Sequence, residues 1–339
     1  MNFSGCKPIE DQGIVKLQPV STLLIDALNE HGLSYIIQDD CVIHYSDSNE
    51  MMCLLQKLNS LPAELQQSIQ IYIVGQRSEV NGPEWIPLKQ LNRRLNDHHI
   101  MDIIKEEQFT SYMQPIVDSS EQIVAFEFLL RPAQDGVSFH PYELFEVARE
   151  AGLQSFLDRA AHISAIETSS LWVPQGIKRF VNFLPSSIYN PEYCLSYTFH
   201  TIERLKLDPR DFVFEVVETE QIDIQQLQYI FDLYRDNGIA VALDDVGAGY
   251  STLEEMVLLR PDYVKIDRGL ISECDKDPIK QREITKIVEL ANDFGGEVLA
   301  EGIERREEFE FCVESGIQLA QGYLFGKPSA RPPKGVFAK

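Results

Sequence analysis

Two adjacent carboxylates, Asp244 and Asp245, stand where the apolar run 239–243 stops, and a glycine-bearing loop follows them. Successive strand residues point to opposite faces, so this pair can face one way only where the strand is ending. Carboxylates this close repel each other, and burying them uncompensated costs several kcal/mol. A cation should therefore neutralise them. A solvated Asp-Asp turn is the plain alternative, and the rest of the chain argues against it.

Other strand-like runs end in residues of the same kind. The runs 123–128, 179–183, 212–217 and 239–243 supply Glu127, then Asn182, then Glu215 with Glu218, then Asp244 with Asp245. The runs 262–266, 297–300 and 318–321 bring Lys265, Glu301 with Glu304, and Gln321. Loops are polar, which explains one or two of these. It does not explain seven strand ends in succession that are nearly all carboxylate or amide. In a β/α barrel the carboxyl ends of the strands meet on one face, where the active site sits. Carboxylates with an amide, and no Cys or His, make a hard oxygen site for Mg²⁺ or Mn²⁺ rather than Zn²⁺. Adjacent Asp244 and Asp245 allow one carboxylate to bridge two ions, the arrangement used for in-line displacement at phosphorus. Such a barrel is most simply a metal-dependent phosphoesterase.

The elements that carry these residues alternate from about Tyr112 onward, strand-like with helix-like, as in an α/β fold with a mostly parallel sheet. Helix 221–237 places Leu227, Ile230, Phe231 and Tyr234 on one stripe, and Gly238 stops it. Helix 284–294 does the same with Ile284, Ile287, Leu290 and Ala291 before Gly295. Residues 1–98 read differently, as a small α+β domain. Ser21 and Thr22 cap a helix over 23–30, strands are expected at 34–37, 41–45 and 71–74, and helices at 50–58 and 88–95. Gly82-Pro83 marks a break. The domain reads as regulatory or sensory, or else as structural. Residues 88–104 are a candidate coupling helix. The expected division is 1–98 and 99–339.

The 339 residues hold 53 acidic against 30 basic side chains, a net charge of −23. That surface repels polyphosphate, so a nucleic acid polymer is an unfavourable partner. Residues 1–13 lack the pattern of a signal peptide, and no run reaches membrane-spanning length. The six cysteines are scattered, with no CxxC, and read as buried thiols in a reducing cytoplasm. His98-His99 reads as a helix end.

Eight short motifs then stand in order: QPIVD (114–118), EFLLR (127–131), VNF (181–183), EVVE (215–218), DDVGAGYSTL (244–253), KID (265–267), AEGIE (300–304) and QGYLFGKP (321–328). Together they resemble the EAL domains that hydrolyse cyclic di-GMP, over about two-thirds of the chain. The resemblance implies a modified TIM (β/α)8 barrel whose first strand is antiparallel, preceded here by the small α+β domain. It implies opening of cyclic di-GMP to linear pGpG with Mg²⁺ or Mn²⁺, two ions per site; Ca²⁺ is expected to inhibit, because its longer, looser coordination misplaces the attacking water. By the family pattern Glu127, Asn182, Glu215 and Asp244 bind the first ion, and Asp244 and Asp245 the second, with Glu301 acting on it through the metal-bound water. Lys265, Glu301 and Glu127 are the implied catalytic residues, Glu301 as general base. Gln114, Leu130, Arg131, Asn182, Asp267, Glu304 and Gln321 are implied on the dinucleotide, and Glu218 with Ser251 as the anchor of the loop after Asp245. A homodimer through the barrel is implied as well.

The chain departs from the family pattern at Phe128, Pro132, Val246, Ala248 and Thr252. If Glu127 faces the barrel mouth, Phe128 faces the helix layer. The altered loop and Pro132 favour the alternative function, a catalytically inactive EAL domain acting as a cyclic di-GMP receptor, while a protein-interaction adaptor is disfavoured because the acidic ligands remain.

Overall fold

The structure is a computed structural model that describes residues 12–75, 85–91, 98–134, 136–188, 190–216, 223–247 and 253–333. The chain divides into two compact units, Met1–Asp102 with Leu144–Leu153, and Ile103–Glu143 with Gln154–Lys339.

In the first unit, strands β1 (Gly13–Gln18), β2 (Ile36–Ile37), β3 (Cys41–Tyr45), β4 (Gln70–Gly75) and β5 (Ile86–Pro87) form an antiparallel sheet in the order β2-β3-β1-β4-β5. With helices Thr22–Glu30 and Ser48–Asn59 this is a split β-α-β arrangement. Ser21 caps the first helix, its hydroxyl accepting from the Leu24 N–H at 3.1 Å. Val15 and Leu17 alternate into a core with Leu24, Leu28, Leu54 and Leu58. Three elements go beyond the sequence expectations: β1, β5 and the helix Ala63–Ser68. The two strands show too few apolar residues, and the helix is under two turns and rich in glutamine. The chain also departs from the reading of all cysteines as buried, because Cys53 is exposed while Cys41, Cys274 and Cys312 are buried. His98 opens the helix His98–Lys105. The Gly82-Pro83 break and residues 92–97 of the expected helices lie outside the described residues.

The second unit is a closed barrel of eight strands: β6 (Phe109–Asp118), β7 (Ile123–Pro132), β8 (Lys178–Phe183), β9 (Phe212–Val216), β10 (Ala240–Val246), β11 (Tyr263–Ile266), β12 (Glu297–Ala300) and β13 (Leu319–Gln321). Pairs from β7 round to β13 are parallel, and β6 runs antiparallel to both of its neighbours. This is the modified TIM barrel that the motifs imply. The buried stripe Leu227, Ile230, Phe231 and Tyr234 lies on helix Ile224–Asp236, and Gly238 beyond it takes a left-handed φ of 76°. Helix Pro278–Phe294 starts six residues before the expected 284, with Asp277 as N-cap and Pro278 at its first position. It ends at Gly295, left-handed at φ 82°. Among the described residues no helix is long and apolar enough to cross a membrane.

Inside the barrel lies one apolar layer with one residue from each strand: Ile116, Ala125, Phe180, Val213, Ala242, Tyr263, Leu299 and Leu319. Side chains alternate along a strand with a period of two, so the next inward layer is two residues further on. That step falls on Gln114, because β6 runs the other way, and on Glu127, Asn182, Glu215, Asp244, Lys265, Glu301 and Gln321. The apolar floor and the polar mouth are thus consecutive layers of one barrel. Phe128, the residue after Glu127, packs outward in the main core with Ala165 and Ile166.

Two strand ends differ from the sequence expectation. β7 continues five residues past Glu127, because β6 pairs with it as a long ribbon from Phe109↔Pro132 downward. β10 runs on to Val246 rather than stopping at Leu243.

Candidate metal and catalytic centre

The extension of β10 explains how two neighbouring aspartates serve one site. Its ladder with β11 pairs Leu243 with Val264 and then Val246 with Ile266, so three steps on β10 oppose two on β11. This is a bulge. Asp245 takes the extra position at φ +52°, a conformation that Asp adopts more readily than most residues. Leu243 and Val246 both bury in the outer core, and both carboxylates are left at the mouth. Oxygens of Asp244, Asp245 and Glu301 all lie within 4.8 Å of one another.

Lys265 stands at the centre, 1% exposed. Its Nζ lies 2.7 Å from Glu301 Oε1, 3.0 Å from Asp244 Oδ1 and 3.8 Å from Glu127 Oε1, and it also contacts Glu215 Oε2. Burial alone lowers the pKa of a lysine, but Asp244, Glu127, Glu215 and Glu301 outweigh it and hold this ammonium well above its ordinary range. Around it stand four carboxylates in the layer and Asp245 beside them, so the charge is not balanced. Burial, opposed in part by Lys265, raises Glu215 and Glu301 well above the usual carboxylate range and raises Asp244 as well. Burial and the neighbouring Asp244 push Asp245 up to about 6. Without further positive charge the cluster keeps protons.

Two amides order the acids. Asn182 Nδ2 donates to Glu127 Oε1 at 3.0 Å, and Gln321 Nε2 donates to Glu127 Oε2 at 2.7 Å. Both oxygens of Glu127 are thereby fixed from β8 and β13. Glu215 is fully buried and its Oε1 has no hydrogen-bond partner. Such an atom costs about 1–3 kcal/mol or more, and a cation would satisfy it. The all-oxygen donor set fits a hard divalent ion.

The remaining site expectations fall on the rim. Gln114 faces Glu127 across the β6–β7 ladder and its Nε2 donates to the Gly326 carbonyl at 3.4 Å. Arg131 turns its Nη1 onto the carbonyl of Leu130 at 2.7 Å. Asp267 caps a short helix, Arg268–Ile271, its Oδ1 accepting from the Gly269 N–H at 2.7 Å. Glu304 pairs with Arg268 at 2.7 Å. Glu218 and Ser251, the expected loop anchor, lie outside the described residues, as do Ala248 and Thr252. Sequence reading missed Glu308, which is buried on helix Arg306–Glu314. Its Oε1 accepts from the Glu273 N–H at 2.9 Å, and its Oε2 from the N–H groups of Glu304 at 3.1 Å and Arg305 at 3.0 Å. It therefore ties the segment after β11 to the one after β12. A glutamate three residues after the start of a helix was the available signal.

A family model described as "EAL domain" matches residues 97–328. The "Probable cyclic di-GMP phosphodiesterase PdeG" of Escherichia coli (strain K12) is 30% identical over 238 residues, which are 66% of this chain and 45% of that protein. The chain thus spans under half of that relative. A solved structure of a standalone versatile EAL protein from Vibrio cholerae O395, in its c-di-GMP bound form, superposes with a TM-score of 0.60 at 30% identity, over 66% of this chain and 94% of that one. The manganese and cyclic di-GMP complex of Klebsiella pneumoniae BlrP1 covers 94% of this chain and 96% of its own at a TM-score of 0.60 and 20% identity, a likeness of fold alone. With the family model spanning residues 97–328 and the acids in their barrel layer, this chain belongs to the EAL domain family.

Proposed function

We propose that this chain hydrolyses cyclic di-GMP to linear pGpG, using two divalent ions, Mg²⁺ or Mn²⁺. The observation that carries the reading is the cluster of Glu127, Glu215, Asp244, Asp245 and Glu301 around one buried lysine. Relatives named as cyclic di-GMP phosphodiesterases and a c-di-GMP-bound relative at 30% identity support the substrate class. Glu127, Asn182, Glu215 and Asp244 would hold one ion, and Asp244, Asp245 and Glu301 the other. Bound there, the ions supply charge that stabilises the transition state at phosphorus.

The chain's own residues do the rest. Glu301, whose Oε1 lies 2.7 Å from the Lys265 ammonium at the mouth of the barrel, takes the proton of the attacking water. Water adds to phosphorus and the ester bond to the 3′ oxygen breaks, and that oxygen takes a proton from solvent, leaving a 5′-phosphate and a 3′-hydroxyl. Lys265 offers a fixed positive charge for the developing negative charge, in a site with little water. Gln321 and Asn182 hold Glu127 in place. Gln114, Leu130, Arg131, Asn182, Asp267, Glu304 and Gln321 line the dinucleotide, Arg131 as a fork for phosphate, and Glu218 with Ser251 anchors the loop beyond Asp245. Ca²⁺ binds the same oxygens but misplaces the water, because its coordination is longer and looser. The reading includes a homodimer through the barrel, a cytoplasmic setting and a regulatory or sensory role for residues 1–98.

One observation favours a second reading, a receptor that binds the dinucleotide without cleaving it. Lys265 already contacts four carboxylates and so supplies part of the charge an ion would bring. Incubation with cyclic di-GMP and Mg²⁺ or Mn²⁺, followed by chromatography, decides between them. Product from the parent and none from Glu127→Ala supports hydrolysis. Tight nucleotide binding without product supports the receptor.

A further inference from the structure

Asp158 is a carboxylate only 3% exposed that no step above uses. It lies on helix Gln154–Trp172. Its Oδ1 accepts from the Leu184 N–H at 3.2 Å and its Oδ2 from the Ser187 hydroxyl at 2.5 Å. The His162 Nε2, one turn along, is 3.4 Å from the same Oδ2, and the His162 ring packs edge-on against Phe214 at 5.4 Å. Two more residues of that helix reach the same segment. Ser155 Oγ donates to the Ser187 carbonyl at 2.5 Å, and Gln154 Nε2 donates to Ser186 Oγ at 3.1 Å. The start of the helix is a clamp on residues 184–187.

A carboxylate taken out of water costs several kcal/mol unless its oxygens are hydrogen-bonded. A leucine would close the helix onto the barrel as well, so the gain from an acid here is directional: a fixed exit from β8. That exit has a reason to be fixed. The β7–β8 ladder ends at Phe128↔Val181, and beyond it only β9 pairs with Asn182 and Phe183. Asn182 then has to meet Glu127 Oε1 at 3.0 Å.

We propose that Asp158, acting through Leu184 and Ser187, is a positioning residue for Asn182 and so for the oxygen cluster that takes a divalent ion. This rests on the metal-site reading above. It does not depend on whether the chain cleaves or only binds its nucleotide.

Binding of Mn²⁺ alone, followed through the electron spin resonance signal of the free ion, tests it without any reaction. The full chain is compared with Asp158→Asn, Ser187→Ala, Asn182→Ala and the two double variants that include Asn182→Ala. Loss of a group that orients a metal ligand weakens affinity about 10–100-fold. Asp158→Asn and Ser187→Ala are expected near the lower figure, about tenfold. In the Asn182→Ala background each should add no more than a factor of about two, because the residue they act through is gone. A merely structural role would lower melting temperature and reduce Mn²⁺ affinity by the same factor in both backgrounds, which overturns the proposal. Affinity within about twofold of the parent in both single variants overturns it too. If Asp158→Asn does not fold, Ser187→Ala carries the comparison. A parent that binds no Mn²⁺ sinks the metal-site reading and this proposal together. The expected non-additivity without any turnover upholds the positioning role and sinks hydrolysis alone.

Discussion

The backbone N–H of Asp245 donates to Oδ1 of Asp244 at 2.9 Å, so the second aspartate of the pair holds the first. The contact exists because Asp245 occupies the bulge at φ +52°. Bulges next to active sites commonly re-aim a side chain, and this one gives a single strand two carboxylates at the mouth.

Asp245 sets a pH dependence with two faces. Burial and Asp244 raise its carboxyl to about 6, above the value of about 3.9 in an unfolded chain. A group raised on folding stabilises the metal-free protein below the unfolded value, and that contribution is lost as pH rises through about 6. Over the same interval the proton stops competing, so divalent affinity climbs. Calorimetric titration with Mn²⁺ at pH 5, 6 and 7 should show affinity rising with pH, the Asp245 share of the slope fading above about 6 while the raised Glu215 and Glu301 keep theirs. Asp245→Asn, which tolerates the left-handed backbone, should flatten the dependence. An equal slope in that variant would assign the proton elsewhere.

Lys265 supplies the internal countercharge, so its removal should hurt the metal-free protein most. Removing one partner of a buried ion pair costs about 3–5 kcal/mol. Lys265→Met is expected to lower the melting temperature sharply in chelator, and Mn²⁺ should recover much of the loss by supplying charge to the same carboxylates. Hydrolysis should stay abolished with Mn²⁺ present. The readout is a pair of melting curves, with and without the ion, for parent and variant. A loss of equal size in both conditions would mean that the lysine and the ion do not share the cluster.

How far the sequence foretold this site follows from its layers. Seven acids, amides and a lysine two residues beyond an apolar inward residue is a period-two signal, legible at each strand end. Asn182, Glu215 and Gln321 are examples. The bulge was not legible, since DDV reads equally as a strand end, and only the pairing of Val246 with Ile266 reveals it. Glu127 is legible, but the full length of β7 is not, because its last five residues are held by β6 rather than by their own pattern. Asp158 carries no signal as a positioning group, since a charge on a helix usually marks a solvated face, and Glu308 offers only its place three residues after a helix cap. In the first unit β1 escaped notice for a related reason: GIVKLQ alternates, but only Val15 and Leu17 reach its core.

Gly247 follows the bulge at φ +101°. A Cβ there would lie 2.2 Å from Leu270 Cδ1 and 3.0 Å from its Cγ, and Leu270 belongs to the short helix that Asp267 caps. Gly247→Ala therefore combines left-handed strain of about 1–2 kcal/mol with a steric push on that helix. The expected result is a lower melting temperature and a raised KM for cyclic di-GMP, as the rim at Asp267 shifts. Leu270→Ala in the same chain should recover part of the KM, since it empties the space the new methyl needs. Failure of that second change to recover anything would put the defect in the backbone strain alone.

Glu308 gives the opposite pH sign to Asp245. Burial pushes its carboxyl up, but the N–H groups of Glu273, Glu304 and Arg305 and the Arg305 guanidinium outweigh that and hold it below the usual carboxylate range. A group lowered on folding adds stability above its unfolded value, about 4.3, and that stability is lost as pH falls through the lower folded value. Acid unfolding of the parent should therefore steepen below about pH 4.3. Glu308→Gln keeps an acceptor for some of the N–H groups but loses the charge, so it should be less stable than the parent at pH 7, by a margin that shrinks as pH falls to 3. Because the three N–H groups come from the segments after β11 and β12, the variant should also raise KM for the dinucleotide more than it lowers kcat. Urea melts at pH 7 and pH 3 check the first statement, and steady-state kinetics the second. A constant stability difference at both pH values would show that the carboxylate contributes through its shape and not through its charge.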